Sequence, residues 1–330
     1  MSVVIFGGAG FVGLNIAELL LARGDAVTLF DQAELPVEAR CAFAPYGERL
    51  RLLRGDVTER SAVEAAVGPG CDAVVLGAAI TAGAARDAAE PERILAVNLL
   101  AQVPILTAAR KAKVRRVINL SSAASYGASG RHYPLLEETT PCDPQSLYAI
   151  TKFGSERVVA RLSELWQADM ISVRLSGVFG PYERAGGVRD TPSPQALIVD
   201  CMRRGAPALL SEPGARDWVY AADVAAAVGV LLDAARPRHM LYNISSGLTF
   251  TAEAWGKAFA DKAFAAPDSG FVCRVAVSGE TPTVTVHGST RAPLSVQRMA
   301  DEFGWRAKFG CEESAEHMRR WLHDHDRGGA

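Results

Sequence analysis

Tyr148 and Lys152 stand four positions apart in the stretch SLYAITKFG, residues 146–154. In a helix this spacing puts the two side chains on one face, one turn apart. A phenol is a poor base at neutral pH, because its ordinary pKa is about 10. An ammonium group one turn away favours the phenolate, lowers that value and turns the tyrosine into a base for a carbinol proton. The same spacing also occurs on the solvated faces of ordinary helices. The pair therefore gains weight only where the chain supplies a redox cofactor and a further polar group for the carbinol oxygen.

The first half of the chain has the pattern needed to position such groups. Runs at 3–6, 26–30, 50–53, 72–79, 114–122 and 170–176 are short and nearly continuous in apolar character, as strands covered on both faces must be. Apolar-periodic stretches at 11–23, 59–67, 91–112 and 145–167 lie between them and read as helices. This alternation predicts an α/β fold built on a doubly wound parallel Rossmann sheet, with ligands at the carboxyl ends of the strands. The pattern changes near residue 177, where GPYERAGGVRDTPSP (180–194) reads as a long loop. The expected division is a large domain of 1–177 and 218–237 and a smaller, discontinuous α/β C-terminal substrate domain of 178–217 and 238–330. The Ala-rich stretch DVAAAVGVLLDAA (223–235) is expected to pack back on the large domain.

The first strand runs into Gly8-x-Gly10-x-x-Gly13, equally readable as Gly7-x-x-Gly10-x-x-Gly13, and the helix follows at once. Glycines there allow a tight turn and close approach of backbone N–H groups to a pyrophosphate at a helix N-terminus. Gly7, Gly10, Phe11, Val12 and Gly13 are the expected cradle. Asp31 closes the next strand about 20 residues beyond Gly10, where a carboxylate meets ribose hydroxyls. It would repel a 2′-phosphate, and Gln32, not an arginine, comes next. The cofactor is expected to be NAD.

The rest of the composition narrows the partners. Thirty-five basic residues against 37 acidic ones offer no polybasic face for nucleic acid or an anionic membrane, which leaves a small molecule. The six cysteines are scattered without a CxxC pair, so neither a metal site nor a disulfide frame is expected, and the compartment reads as cytoplasmic.

GGAGFVG, Gly55-Asp56-Val57, Ala78-Ala79, Asn98, SSAASYG (121–127), YxxxK, VRLSGVFGP (173–181) and RDWVYAADVA (216–225) fall in one order along the whole chain. In that order the chain resembles the extended short-chain dehydrogenases/reductases, and among them the NAD-dependent epimerase/dehydratase family, nucleotide-sugar epimerases most closely. The resemblance implies that Ser122, Tyr148 and Lys152 are catalytic, with Ser122 on the substrate oxygen and Lys152 also on the nicotinamide ribose. It implies that Asp56 and Val57 hold the adenine end, that Ala78 and Ala79 line the diphosphate–ribose path, that Asn98 belongs to the cofactor site, and that the protein is a homodimer. Dehydration in this group uses an acid and a base beside the serine, where this chain has Ala123 and Ala124. The chain also departs from the pattern at Gly177, where nucleotide-sugar enzymes carry an asparagine, and at Leu76, where a histidine is frequent. Arg184, Arg189 and Arg216 are the candidate anion-binding residues for substrate, with Thr81 beside them. The triad leaves epimerase and dehydrogenase of a free sugar, sugar acid or other small alcohol both open.

Overall fold

The computed structural model describes residues 1–184, 190–260, 271–287 and 291–326. Six strands follow the expected runs: β1 (Ser2–Phe6), β2 (Ala26–Asp31), β3 (Leu50–Arg54), β4 (Ala73–Leu76), β5 (Arg116–Ser122) and β6 (Met170–Leu175). With a seventh strand, Leu241–Ile244, they form one parallel sheet in the order Leu241–Ile244, β6, β5, β4, β1, β2, β3. The order reverses between β1 and β4, which opens a crevice at their carboxyl ends.

Alternation along each strand explains both faces. Val3 and Ile5 of β1 join Leu29, Val75, Ile118 and Val173 in a core beneath helix α1 (Phe11–Ala22) and the helix Ala221–Asp233. Val4 and Phe6 point the other way, against Phe30, Val74, Leu76 and Val117, under helices that include Leu147–Trp166. Helix Ala221–Asp233 returns to the large sheet as expected. Its Gly229 leaves room for Leu19 of α1, which a Cβ would approach to 3.2 Å. A third cluster holds Phe179, Ile198, Leu210, Trp218, Trp255, Phe259 and Leu322 apart from the sheet cores.

The structure differs from expectation in one place. Leu241–Ile244, placed by the sequence pattern in the smaller domain, pairs in parallel with β6 and belongs to the large sheet. The run MLYNISS reads as a strand, but the sheet a strand joins is set by long-range pairing that a local apolar run does not carry. The helical span Pro91–Lys111 is long and apolar enough to cross a membrane by length and composition alone. Half of that window is buried inside the fold, and its Ile94, Ile105 and Leu106 pack on the sheet.

Candidate active site and dinucleotide cradle

Gly7 sits at φ 77°, in the left-handed region, and its lack of a side chain has a second cause. A Cβ on Gly7 would lie 2.6 Å from the Ala78 nitrogen, and one on Gly13 would lie 2.6 Å from the Gly7 carbonyl oxygen. The loop therefore packs backbone to backbone on the end of β4. A Cβ on Gly10 would meet only the Gly7 oxygen, at 3.2 Å, so the outer side of this residue is an open cradle that a side chain would fill. Gly10 also starts α1 without a side-chain cap, which leaves the positive end of the helix to an anionic ligand.

Asp31 is tied into this turn. Its carboxylate accepts the Ala9 N–H at 3.0 Å and the Ala33 N–H at 3.0 Å, so its position at the tip of β2 is fixed by the loop it serves. Asp56 accepts from the Thr58 N–H and hydroxyl and pairs with Arg93 at 2.7 Å. Burial works to raise its pKa, but the bonds from Arg93 and Thr58 outweigh it and hold the carboxyl below its ordinary value. Val57 is buried beside it. Asn98 is held by the backbone and by the helix of Tyr148, its Nδ2 also reaching the Thr151 hydroxyl at 3.3 Å. It is fully buried in a π turn, and its amide exchanges hydrogen bonds with the Ile80 N–H at 2.7 Å and carbonyl at 3.0 Å. Its amide is committed to the chain just beyond Ala78 and Ala79.

Helix Leu147–Trp166 carries the tyrosine and lysine. Ser146 caps it by accepting the Ala149 N–H at 3.2 Å, and Asp87 accepts the Leu147 N–H at 3.0 Å. Lys152 is nearly fully buried, and its ammonium donates to the Leu120 carbonyl of β5 at 2.7 Å. That bond ties this helical face to the strand that ends at Ser122. The same ammonium lies 5.8 Å from the centre of the Tyr148 ring. Ser122 closes β5, and its hydroxyl accepts the Ala124 N–H at 3.1 Å. Burial lowers the Lys152 pKa to about 8, against the opposing attraction of Glu156.

Glu156, one turn beyond Lys152, was not singled out in the sequence, although the spacing that joins Tyr148 to Lys152 repeats to reach it. It forms a buried two-point pair with Arg174 of β6, at 2.9 and 2.6 Å, and accepts from Ser121 and Ser125. Burial opposes the Arg174 charge, but Glu156 overcomes it and holds the guanidinium above its ordinary pKa.

On the other side of Ser122, β6 ends at Leu175, its register partner. Ser176 and Gly177 follow. A Cβ on Gly177 would lie 2.5 Å from the Trp218 ring and 3.1 Å from the Arg216 side chain, so Trp218 fills the space beside this position. Arg216 lies over that ring at 4.9 Å. Burial and then the neighbouring Arg291 charge lower its pKa to about 10. Arg291 donates to Ser176 at 2.6 Å and pairs with the buried Asp217 at 2.9 Å. Its context, STRAPLS, gave no signal, because the fold alone brings it to Arg216.

The remaining candidates scatter. Thr81 stands beyond Ile80, and its carbonyl accepts the Asp190 N–H at 3.2 Å. Arg184 is paired with Glu38 at the surface, where the ion pair accounts for its charge. Arg189 lies outside the described residues. Among the described residues no cluster of His, Cys, Asp and Glu is arranged to hold a metal ion.

A parallel sheet with a glycine cradle at its switch point and a Ser, Tyr and Lys at the end of β5 defines an NAD-binding enzyme of the short-chain dehydrogenase/reductase type. The model of the NAD dependent epimerase/dehydratase family matches residues 3–245, and the chain belongs to that family. The chain is 30% identical over 235 residues to dTDP-glucose 4,6-dehydratase of Mycolicibacterium smegmatis, covering 70% of this chain and 69% of that enzyme. It is 33% identical over 184 residues to D-erythronate dehydrogenase of Cupriavidus necator, covering 53% and 54% of the two chains. In structure it is similar to UDP-glucose 4-epimerase of Thermotoga maritima, solved with UDP-glucose. That match has a TM-score of 0.78 at 22% identity and covers 98% of this chain and 99% of the other.

Proposed function

We propose that the protein interconverts the configuration of a nucleotide-linked sugar by NAD-dependent oxidation and re-reduction at one carbinol. Tyr148 takes and returns the hydroxyl proton, and the Ser122 hydroxyl holds the same oxygen. Lys152, while cationic, favours the phenolate and binds the nicotinamide ribose. Bound NAD supplies the hydride acceptor and donor. The observation that carries this reading is the Lys152 bond to the Leu120 carbonyl, which anchors the tyrosine-bearing helix to the strand of Ser122. Ala123 and Ala124 offer neither the acid nor the base that expelling water would need, which favours oxidoreduction without dehydration.

The test is Tyr148→Phe in the NAD-loaded protein, assayed on nucleotide-linked hexoses. Turnover should fall about 10²–10⁴-fold, the usual worth of a positioned proton acceptor, with NAD binding kept. Undiminished turnover would remove Tyr148 from the mechanism.

A second reading is a dehydrogenase of a small free sugar or sugar acid that releases NADH. It is favoured by the Trp218 ring filling the place beside Gly177 and by the similarity to D-erythronate dehydrogenase. Calorimetric titration of the NAD-loaded protein with UDP, TDP and GDP separates the two. Heat for one base, lost in Arg216→Ala, supports the nucleotide-linked substrate; no heat from any of them supports the free one. A homodimer is part of the same proposal, since Leu100, Val103, Ile150 and Leu165 leave apolar side chains exposed on helices 91–111 and 147–166. Sedimentation of Ile150→Glu as a monomer beside a dimeric parent would support it; a monomeric parent would end it.

A further inference from the structure

The tip of β3 carries a charge pair that the proposed chemistry leaves unused. The Gly55 N–H bonds to the Asp31 carbonyl at 3.0 Å, so Asp56 follows on the strand end next to Asp31. A dinucleotide with its pyrophosphate at Gly10 and its ribose at Asp31 lays its base one strand further on, over the end of β3. Val57 is buried there, and Ile94 of the helix Pro91–Leu95 belongs to the same apolar cluster. That helix comes from beyond β4 and brings the Arg93 guanidinium to 2.7 Å from Asp56 Oδ2. The other oxygen, Oδ1, accepts both the Thr58 N–H at 2.9 Å and the Thr58 hydroxyl at 2.7 Å. A carboxylate offers about four acceptor positions, so one is left, on Oδ2. The Asp56 side chain is 24% exposed and that of Arg93 39%, so neither is sealed inside the fold. A pair this exposed adds little to stability. Its worth lies in orientation, because Thr58 pins one oxygen and Arg93 the other.

We propose that Arg93 is a positioning residue for the adenine end of NAD. It holds the Asp56 carboxylate so that the open position on Oδ2 accepts the exocyclic amine of the base, a hydrogen-bond donor. A carboxylate has no hydrogen to give, so a base that lacks the amine hydrogens loses this contact. Arg93 acts through Asp56 and does not itself hold the base. This role requires NAD in the cradle of Gly10 and Asp31, and it is independent of which carbinol is oxidised.

The experiment follows the release of NADH, by its fluorescence, from the loaded protein chased with excess NAD and without any sugar substrate. Arg93→Ala should release NADH about tenfold faster, the worth of one hydrogen bond to a charged group. Arg93→Lys should recover part of that loss, and Arg93→Gln replaces the alanine variant should it fold poorly. Asp56→Ala should release NADH at least as fast. Adding Arg93→Ala to it should change nothing more, because residues that act as one unit do not add. The reduced 1,N6-etheno analogue of NAD, whose base has lost the amine hydrogens, should leave the parent and Arg93→Ala at the same rate. Unchanged release from Arg93→Ala, additive acceleration in the double variant, or equal acceleration for the etheno analogue would overturn the proposal. A parent that holds no NADH would remove the cofactor reading along with it.

Discussion

Two arginine systems flank the end of β6, and they are balanced differently. Arg174, within the strand, faces one carboxylate, Glu156, through two bonds, and both side chains are almost completely buried. Arg216 and Arg291, beyond the strand, share the single buried carboxylate of Asp217, and only Arg291 is bonded to it. Arg216 has the Trp218 face and the repulsion of its neighbour. A charge matched inside the fold has nothing left for a ligand. A guanidinium half buried without a carboxylate has its hydrogen-bond capacity in reserve for an anion. The first system braces helix Leu147–Trp166 against β6, and the second is the one proposed here to meet the substrate.

That contrast is broken most sharply by removing one charge from each system. Glu156→Gln leaves Arg174 buried and unpaired, and such a broken pair costs about 3–5 kcal/mol of stability. Arg216→Ala removes a stacked cation worth about 0.5–1 kcal/mol and relieves its repulsion with Arg291, so its melting temperature should stay close to the parent's. Denaturant unfolding of the two variants side by side is the check. Equal losses would mean that Arg216 is as structural as Arg174.

The space at Gly177 sharpens the same point with a smaller effect. A methyl group there would lie 2.5 Å from the Trp218 ring, which is buried and held by its Nε1 donating to the Gly214 carbonyl at 3.0 Å. Overpacking of this kind costs about 1–3 kcal/mol. Gly177→Ala should therefore unfold more easily, and Trp218→Leu in the same chain should recover part of the loss. A neutral Gly177→Ala would show that the ring moves aside freely and that the position can accept a larger substrate group.

The balanced system was hidden in the sequence, whereas the fold around it was not. Strands and helices were readable because apolar spacing is a local property, and the glycine loop and Asp31 because a turn, a helix start and a strand end must follow one another closely. Tyr148 and Lys152 were readable for the same reason. Glu156 continues their spacing but finds its partner on a strand 18 residues later, a pairing that only the packed sheet reveals. Arg291 meets Ser176 across more than a hundred residues. Arg184 was singled out for the anion-binding fork of its side chain, and its pairing with Glu38, from the far side of the sheet order, is another contact that only the fold reveals. The partners of the Asn98 amide, the Ile80 backbone and the Thr151 hydroxyl, are likewise set by packing and not by local spacing.

The smallest expected effect joins the balanced system to the chemistry. Burial lowers Lys152 from its ordinary 10.5 to about 8, and Glu156 pulls the other way. The ammonium is the form that favours the Tyr148 phenolate, so activity should fall as pH rises through about 8. Stability should move oppositely. The unfolded chain keeps its lysine proton up to about 10.5, so between the two values it binds more protons than the folded chain, and rising pH favours folding there. Loss of rate above pH 8 without loss of structure is thus the signature of Lys152, read from a pH profile of kcat/KM beside thermal melts at each pH. In Glu156→Gln, at a temperature where the variant is still folded, the supporting charge is gone and the falling limb should shift to lower pH. A limb that stays in place would confine Glu156 to holding Arg174.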